Sequence, residues 1–236
     1  MDKRTVIQAY STLGGEFLTP PESLADRLVS IHAFLFDWDG VFNAGTKGEK
    51  SSSTFSEADS MGINLLRFGY WLTHGRLPFV AIMTGENNPS AIQLAEREHF
   101  TAVYYQTRDK GYALTHLEKT FDIKAESVAF CYDDVLDLAV AGRCGLGFRI
   151  NRPGSPLFAR YAGSKNFCDY VTANSGTQNG VREICELVLG LTSQFTAVVE
   201  KRCAFDDDYR RYLEIRNALE TQRYTYSQGV GDIIAV

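Results

Sequence analysis

The feature that most constrains the fold is a largely apolar run, residues 31–36, that ends in two aspartates and a glycine. The run has the length of one buried strand, and Gly40 lets the chain turn away after it. Side chains two positions apart on an extended chain point to the same side, so Asp37 and Asp39 can face one site. Ligands bind at the carboxyl ends of strands in open parallel sheets. The alternative is a solvated turn, because Asp and Gly are common turn residues.

Strands and helices alternate along most of the chain. Apolar residues at helical spacing predict the helices, and short loops join them to the strands. This alternation predicts an α/β fold, a parallel sheet covered by helices on both faces. The predicted strands are 31–37, 79–83, 102–105, 128–132, 147–150 and 170–172, and the main predicted helices are 61–72, 89–98, 110–121, 155–162 and 180–190.

Segments outside this alternation divide the chain around a core at 31–190. Residues 1–30 are predicted to be a helical extension, which contains a capping-box pattern at 19–22. Residues 41–57 are polar and rich in Gly and Ser, which favours a hairpin or flap over a helix. Residues 191–236 are predicted to form a helical extension and a tail. Such a segment cannot fold alone, so it must pack on the core or on another subunit, or stay mobile.

Composition and charge exclude several kinds of partner. The chain has 236 residues, 44% of them hydrophobic, which is enough for one substantial core. A net charge of −5 without a basic run argues against nucleic-acid binding. The five cysteines show no Cys-x-x-Cys spacing, so the sequence indicates neither a disulfide framework nor a zinc site. No apolar run has the length of a membrane span, and we expect a cytoplasmic protein with no membrane partner.

Acidic residues at two strand ends predict a metal site. Asp133 and Asp134 follow the predicted strand 128–132, and Asp137 lies one turn further on. Together with Asp37 these acids would repel one another unless a cation lay among them, and carboxylate oxygens with open positions suit Mg²⁺. We expect Asp133 to bind the metal, and Asp134 and Asp137 to orient it and its waters.

The other strand ends add residues suited to phosphoryl transfer. Asp37 can attack phosphorus and form an aspartyl-phosphate, which divides a slow hydrolysis into two easier transfers. Asp39 is placed to protonate the departing alkoxide and later to take a proton from water. Thr84 and Lys110 would hold the phosphoryl group, with the lysine supplying fixed positive charge. Taken singly, each residue is more often a turn, a solvated lysine or a helix cap; only their shared order and location point to chemistry.

These residues, in this order, resemble the four motifs of the haloacid dehalogenase superfamily of phosphatases. Within it, the resemblance is closer to the 3-deoxy-D-manno-octulosonate 8-phosphate phosphatase group, and it covers roughly residues 31–190. The motifs are Asp37-Trp38-Asp39-Gly40, Thr84-Gly85, Lys110 and Asp133-Asp134-x-x-Asp137, together with residues 55–63, Tyr105-Gln106-x-x-Asp109-Lys110, Asp169-Tyr170-Val171-Thr172 and Gly180-Val181-Arg182-Glu183.

The resemblance implies a Rossmann-like core and a Mg²⁺-dependent phosphomonoesterase without a large cap domain. In that group the hairpin, here 41–57, assembles a homotetramer, and a neighbouring subunit helps to close the active site. The metal would bind the side chains of Asp37 and Asp133 and the backbone carbonyl of Asp39.

The resemblance also implies that Gly85, Glu86 and Arg182 bind the substrate. Glu86 departs from the group, which usually has Arg there, and matches a branch that acts on 9-phosphates of nine-carbon keto-deoxy sugar acids. An acid at this position should repel a substrate carboxylate or bind hydroxyls. Tyr132 also departs, because Gly is usual before the Asp pair. We expect a phosphatase of a small phosphorylated sugar acid; the alternatives are a phosphatase or phosphomutase of another metabolite, or a non-catalytic oligomeric module.

Overall fold

One sheet organises the molecule, for which a computed structural model describes residues 2–48 and 53–236. In chain order its strands are β1 (Glu16–Phe17), β2 (Ala33–Asp37), β3 (Phe79–Met83), β4 (Ala102–Tyr105), β5 (Val128–Tyr132), β6 (Leu146–Arg149), β7 (Tyr170–Val171), β8 (Gln222–Ser227) and β9 (Asp232–Ala235). Their order across the sheet is β1-β7-β6-β5-β2-β3-β4-β8-β9. From β7 to β8 all neighbours are parallel, and the two outer strands β1 and β9 pair antiparallel.

Helices cover both faces of the sheet, which confirms the predicted fold class. They are α1 (Lys3–Leu13), α2 (Pro21–Leu28), α3 (Glu57–His74), α4 (Pro89–Arg97), α5 (Lys110–Phe121), α6 (Leu138–Ala141), α7 (Pro156–Ser164), α8 (Gly180–Leu191), α9 (Phe195–Ala204) and α10 (Asp207–Asn217). Over the described part of the chain, no helix is both long and apolar enough to cross a membrane.

The two faces of β2 belong to different apolar layers. Every residue of β2 is buried, as expected for a central strand of a parallel sheet. Phe34 and Phe36 lie in the layer that contains side chains of α3 and α8. Ala33 and Leu35 lie in the opposite layer, which contains side chains of α5 and α6. Because side chains alternate along a strand, Asp37 continues the second set and points to the α5 side.

The C-terminal segment packs on the core and extends the sheet. Tyr209 and Tyr212 of α10 lie in an apolar cluster with Phe68 of α3. The Tyr209 hydroxyl donates to Asn64 Oδ1 at 3.3 Å. The chain then adds β8 alongside β4 and returns as β9. The two strands were not predicted from the sequence.

The segment predicted as a hairpin has no strand in its described parts. Residues 41–48 and 53–56 form turns and loop, and the middle of the predicted hairpin, 49–52, lies outside the described residues. The first part is fixed by aromatic packing, since the Phe42 and Trp38 rings stack with centroids 5.0 Å apart. The segment ends where Ser56 accepts a hydrogen bond from Ala58 N and caps α3.

Candidate active site

Three buried acids meet at the carboxyl ends of the central strands. Asp37 ends β2, while Asp133 and Asp137 follow β5, which pairs directly with β2. One carboxylate oxygen from each of the three lies within 4.8 Å of the other two. All three residues are almost completely buried. The parallel register therefore brings together acids that are about 100 positions apart in sequence.

Lys110 links two of these acids. It is the first residue of α5, which Asp109 caps by accepting a hydrogen bond from Gly111 N at 2.9 Å. The Lys110 ammonium donates to Asp37 Oδ1 and, at 2.5 Å, to Asp137 Oδ1. Burial alone would lower the pKa of Lys110, but the two carboxylates outweigh it and hold that pKa above its ordinary value. The lysine is therefore a fixed positive charge in the cluster.

Burial raises the pKa of each of the three acids to about 6. For Asp37, the opposing influence is the positive charge of Lys110. For Asp133, the neighbouring Asp137 adds to the effect of burial, and Arg152 opposes it. For Asp137, the charge of Asp37 adds to burial. The cluster thus keeps its protons to a higher pH than ordinary carboxyl groups do, which is typical of sites built for a further positive charge.

Arg152 and Gly40 are site residues whose roles sequence reasoning missed. Arg152 lies just past β6, and its Nη1 donates to Asp133 Oδ2. Gly40 has φ of 93°, and a Cβ at this position would overlap Asp133 Oδ2 and crowd Arg152 Nη1. The sequence does contain a signal for Arg152, because it is a charged residue just past β6, the strand that neighbours β5.

Asp39 is held away from the three-acid cluster by three donors. Its carboxylate accepts hydrogen bonds from Lys47, from Ser53 Oγ at 2.8 Å and from Asn88 Nδ2 at 3.0 Å. Burial would raise the pKa of Asp39, but these hydrogen bonds outweigh it and lower that pKa. Asn88 Nδ2 also donates to Thr84 Oγ1 at 2.8 Å. Asn88 directly precedes α4, but its side chain makes no capping bond to that helix and instead joins Asp39 to Thr84.

The chain is similar in sequence and in fold to known proteins. The chain is 29% identical, over 71% of its own length and 84% of the relative's, to 3-deoxy-D-manno-octulosonate 8-phosphate phosphatase of Yersinia pestis. The crystal structure of such an enzyme from Yersinia pestis has a TM-score of 0.60 at 27% identity, covering 73% of this chain and 88% of that one. A Legionella pneumophila structure, described as a subfamily III A hydrolase of the haloacid dehalogenase superfamily, has a TM-score of 0.62 at 25% identity, covering 77% of this chain and 94% of that one. No model of a known protein family matches the chain.

Over most of its length the chain is similar in sequence and in fold to phosphatases and to a hydrolase of the haloacid dehalogenase superfamily. These relatives identify the chain as a phosphatase. The resemblance drawn from the motifs is thereby confirmed at this level.

The donor set of this phosphatase fits a divalent cation. Three carboxylates converge on one point, and the cations that contact them within the described part of the chain, Lys110 and Arg152, leave an excess of negative charge. The donors are hard oxygens, with no His or Cys in the cluster found among residues 2–48 and 53–236. Mg²⁺ binds such carboxylate sets and keeps open positions for water and phosphate.

The other residues predicted for the site lie in different surroundings. The Asp134 side chain is 50% exposed, and its carboxylate accepts from Val135 N at 2.7 Å, so it caps a short 3-10 turn and lies outside the three-acid cluster. Gly85 and Glu86 line a cavity next to the cluster. Arg182 does not line this cavity. Its Nε donates to Glu186 Oε1 at 2.6 Å, and it lines another cavity between α1 and α8.

Proposed function

We propose that this phosphatase is a Mg²⁺-dependent phosphomonoesterase that acts on a small phosphorylated sugar acid of the octulosonate 8-phosphate or nononate 9-phosphate type. The main support for the proposal is a buried cluster in which Asp37, Asp133 and Asp137 lie together, with Lys110 in contact with two of them. The substrate class is supported by the relatives that are 3-deoxy-D-manno-octulosonate 8-phosphate phosphatases.

Asp37, Asp133 and the backbone carbonyl of Asp39 would hold the Mg²⁺ ion, with Asp137 and Asp134 orienting it and its waters. When bound, the ion supplies positive charge that neutralises the phosphate oxygens. The chain's own residues do the rest of the chemistry.

Asp37 is the proposed nucleophile. One of its carboxylate oxygens forms a bond to phosphorus while the bond from phosphorus to the sugar oxygen breaks, which leaves an aspartyl-phosphate. Lys110 contacts Asp37 and is close enough to stay beside the transferring phosphoryl group as its negative charge shifts. Thr84, directly after the neighbouring strand β3, would donate a hydrogen bond from its hydroxyl to the same phosphoryl group.

Asp39 is the proposed acid and base. It gives a proton to the departing sugar oxygen and later takes one from the water that hydrolyses the aspartyl-phosphate. Its pKa is lowered by its three donors in the substrate-free protein, and the negative charge of a bound phosphate would raise it. Asn88 joins Asp39 to Thr84, so this acid and the phosphate-binding hydroxyl are positioned together.

The test is hydrolysis of a panel of sugar phosphates with Mg²⁺, with a chelator and by the Asp37→Asn variant. We expect Mg²⁺-dependent turnover that favours acidic keto sugars over hexose phosphates. No Mg²⁺-dependent turnover of any substrate would overturn the proposal and leave the non-catalytic module. Equal rates on acidic and neutral sugars would favour a phosphatase of another metabolite, an alternative motivated by Glu86, whose charge differs from that of the usual Arg.

Assembly and location stay predictions. A homotetramer formed through residues 41–57 is checked by the mass of the protein in solution, and a monomeric mass would contradict it. Cytoplasmic location is checked by cell fractionation.

A further inference from the structure

The C-terminal hairpin of this chain ends at the same edge of the sheet as the three acids. Strand β8 runs parallel to β4, with Thr225 opposite Tyr105. The carboxyl end of β8 therefore lies beside the carboxyl ends of β3 and β4. The turn between β8 and β9, at 228–231, extends beyond that edge.

A polar cavity of about 600 Å³ lies between this hairpin and the loops that follow β3 and β4. Two of its lining residues, Gly85 and Asp109, are chain neighbours of Thr84 and Lys110, so the cavity opens next to the proposed phosphate site. The other residues that line the cavity are Glu86, Gln106, Arg108, Tyr112, Tyr226 and Gln228.

The walls of the cavity carry the groups that recognise a sugar acid. The rings of Tyr112 and Tyr226 lie 4.8 Å apart and offer flat apolar surface with hydroxyl groups at its edge. Arg108 Nη2 lies 3.7 Å from Glu86 Oε1, and both side chains are largely exposed, so each is free to exchange that contact for a ligand. An arginine pairs with a carboxylate in two parallel hydrogen bonds.

We propose that this cavity binds the carboxylate and hydroxyl end of the substrate, and that the hairpin β8–β9 of the same chain forms its outer wall. The proposal rests on the proposed function, because it places the phosphate at Asp37. Arg108 binds the substrate carboxylate, while Glu86, Gln106 and Gln228 form hydrogen bonds with the substrate hydroxyl groups. Strands are about 4.8 Å apart, so a substrate reaching from β2 to β4 spans about 10 Å. A long sugar acid meets this requirement, and a short phosphate ester does not.

The position of Glu86 fits this division of roles. Glu86 would repel a carboxylate placed directly on it, but it accepts hydrogen bonds from hydroxyl groups. Arg108 supplies, from the loop after β4, a positive charge for the substrate carboxylate. Glu86 in the loop after β3 and Arg108 in the loop after β4 therefore present opposite charges to the same cavity.

The experiment compares two substrates, 3-deoxy-D-manno-octulosonate 8-phosphate and p-nitrophenyl phosphate, in wild type and variants. The quantity measured is the ratio of the two kcat/KM values. We expect Tyr226→Ala, Gln228→Ala and Arg108→Gln each to lower this ratio about tenfold, mainly through KM for the sugar acid. The matched controls are Thr225→Ala, beside Tyr226 on the same strand but outside the cavity lining, and Arg160→Gln, an exposed arginine on α7. Both controls should keep the wild-type ratio.

Each outcome separates the two proposals. A wild-type ratio in all three cavity variants overturns the subsite while leaving the phosphatase intact. An equal loss on both substrates also overturns it, because the hairpin would then act on the fold rather than on recognition. If wild type hydrolyses neither substrate, the proposed function fails. In that case calorimetry with free 3-deoxy-D-manno-octulosonate still tests the subsite on the same proteins. The subsite requires that wild type binds this sugar acid and that Tyr226→Ala binds it more weakly.

Discussion

Lys110 donates a hydrogen bond to Asp37, a residue 73 positions earlier in the chain, inside a site from which water is largely excluded. The same ammonium also contacts Asp137. One buried cation thus holds the proposed nucleophile and an acid from a different strand end in one geometry. The cost of burying these charges is offset only while they remain paired.

Removal of the lysine charge should destabilise the protein as well as inactivate it. Lys110→Met leaves Asp37 and Asp137 buried without their cation, and breaking a buried pair in this way costs about 3–5 kcal/mol. We expect a drop of this size in the free energy of unfolding, measured by urea denaturation without metal. Lys119→Met, on the exposed face of the same helix, is the control and should stay within about 0.5 kcal/mol of wild type. Equal stability of the two variants would contradict the pairing.

Loss of the nucleophile should remove turnover without removing the fold. Asp37→Asn keeps the size of the side chain but cannot form the aspartyl-phosphate, so we expect kcat to fall by more than about 10³-fold. Asp122→Asn is a suitable control, because Asp122 is an exposed acid in the left-handed region, φ 54°, which Asn also adopts. Phosphatase assays and circular dichroism of both variants check this, and retained turnover in Asp37→Asn would exclude Asp37 as nucleophile.

Magnesium should stabilise the protein more at high pH than at low pH. The raised pKa values, about 6 for Asp37, Asp133 and Asp137, mean that the folded metal-free protein binds more protons than the unfolded chain between the ordinary value of 3.8 and about 6. Its free energy of unfolding therefore falls as pH rises through this window. A metal ion competes with these protons and binds the ionised acids, so the Mg²⁺-induced rise in Tm should be larger at about pH 8 than at about pH 5.

Thermal melts with and without Mg²⁺ at the two pH values make this measurement. Asp133→Asn removes one of the three acids and should reduce the difference between them. An Mg²⁺ effect of equal size at both pH values would show that the acids do not bind the ion.

The role of Asn88 can be read from a pH profile. Asn88→Ala removes one of the three donors to Asp39, so the pKa of Asp39 should rise towards its ordinary value and the acidic limb of the kcat profile should move to higher pH. We also expect kcat to fall about tenfold, because Asp39 and Thr84 lose their shared contact. Asn87→Ala, at the exposed neighbouring position, should leave the profile in place. An unchanged profile in Asn88→Ala would mean that the contact has no catalytic part.

Periodicity explains what the sequence predicts well. The central strands are continuous apolar runs, and the helices between them have apolar faces, so β2 to β7 and the helices packed on them lie close to their predicted positions. Because parallel strands share one carboxyl edge, the same pattern also predicts that Asp37, Asp133 and Lys110 lie near one another. Proximity of residues that follows from the parallel arrangement of the strands can therefore be predicted from the sequence.

Features that depend on tertiary packing were not accessible. Strand β8 reads Gln222 to Ser227, a mostly polar sequence on an outer part of the sheet, where apolar alternation is weak. Arg152 lies in an irregular loop, and only the turn at Gly40 and the path of β6 bring it to Asp133. Arg182 is predicted from a motif match to bind the substrate, and the fold places its side chain beside Glu186 on α8.

Gly40 should be the least replaceable residue of the acidic loop. Its φ of 93° is unfavourable for any other L-residue, and an added Cβ would overlap Asp133 Oδ2, the oxygen that Arg152 contacts. In Gly40→Ala we expect a loss of about 1–3 kcal/mol in the free energy of unfolding from backbone strain. A loss of more than about tenfold in Mg²⁺ affinity should accompany it, because Asp133 has to move. Gly154→Ala is the matched control, since φ there is not in the left-handed region and, among the described residues, no atom lies within 4 Å of the added Cβ. Urea denaturation and Mg²⁺ titration of both variants decide the matter, and unaltered metal binding in Gly40→Ala would show that Asp133 tolerates displacement.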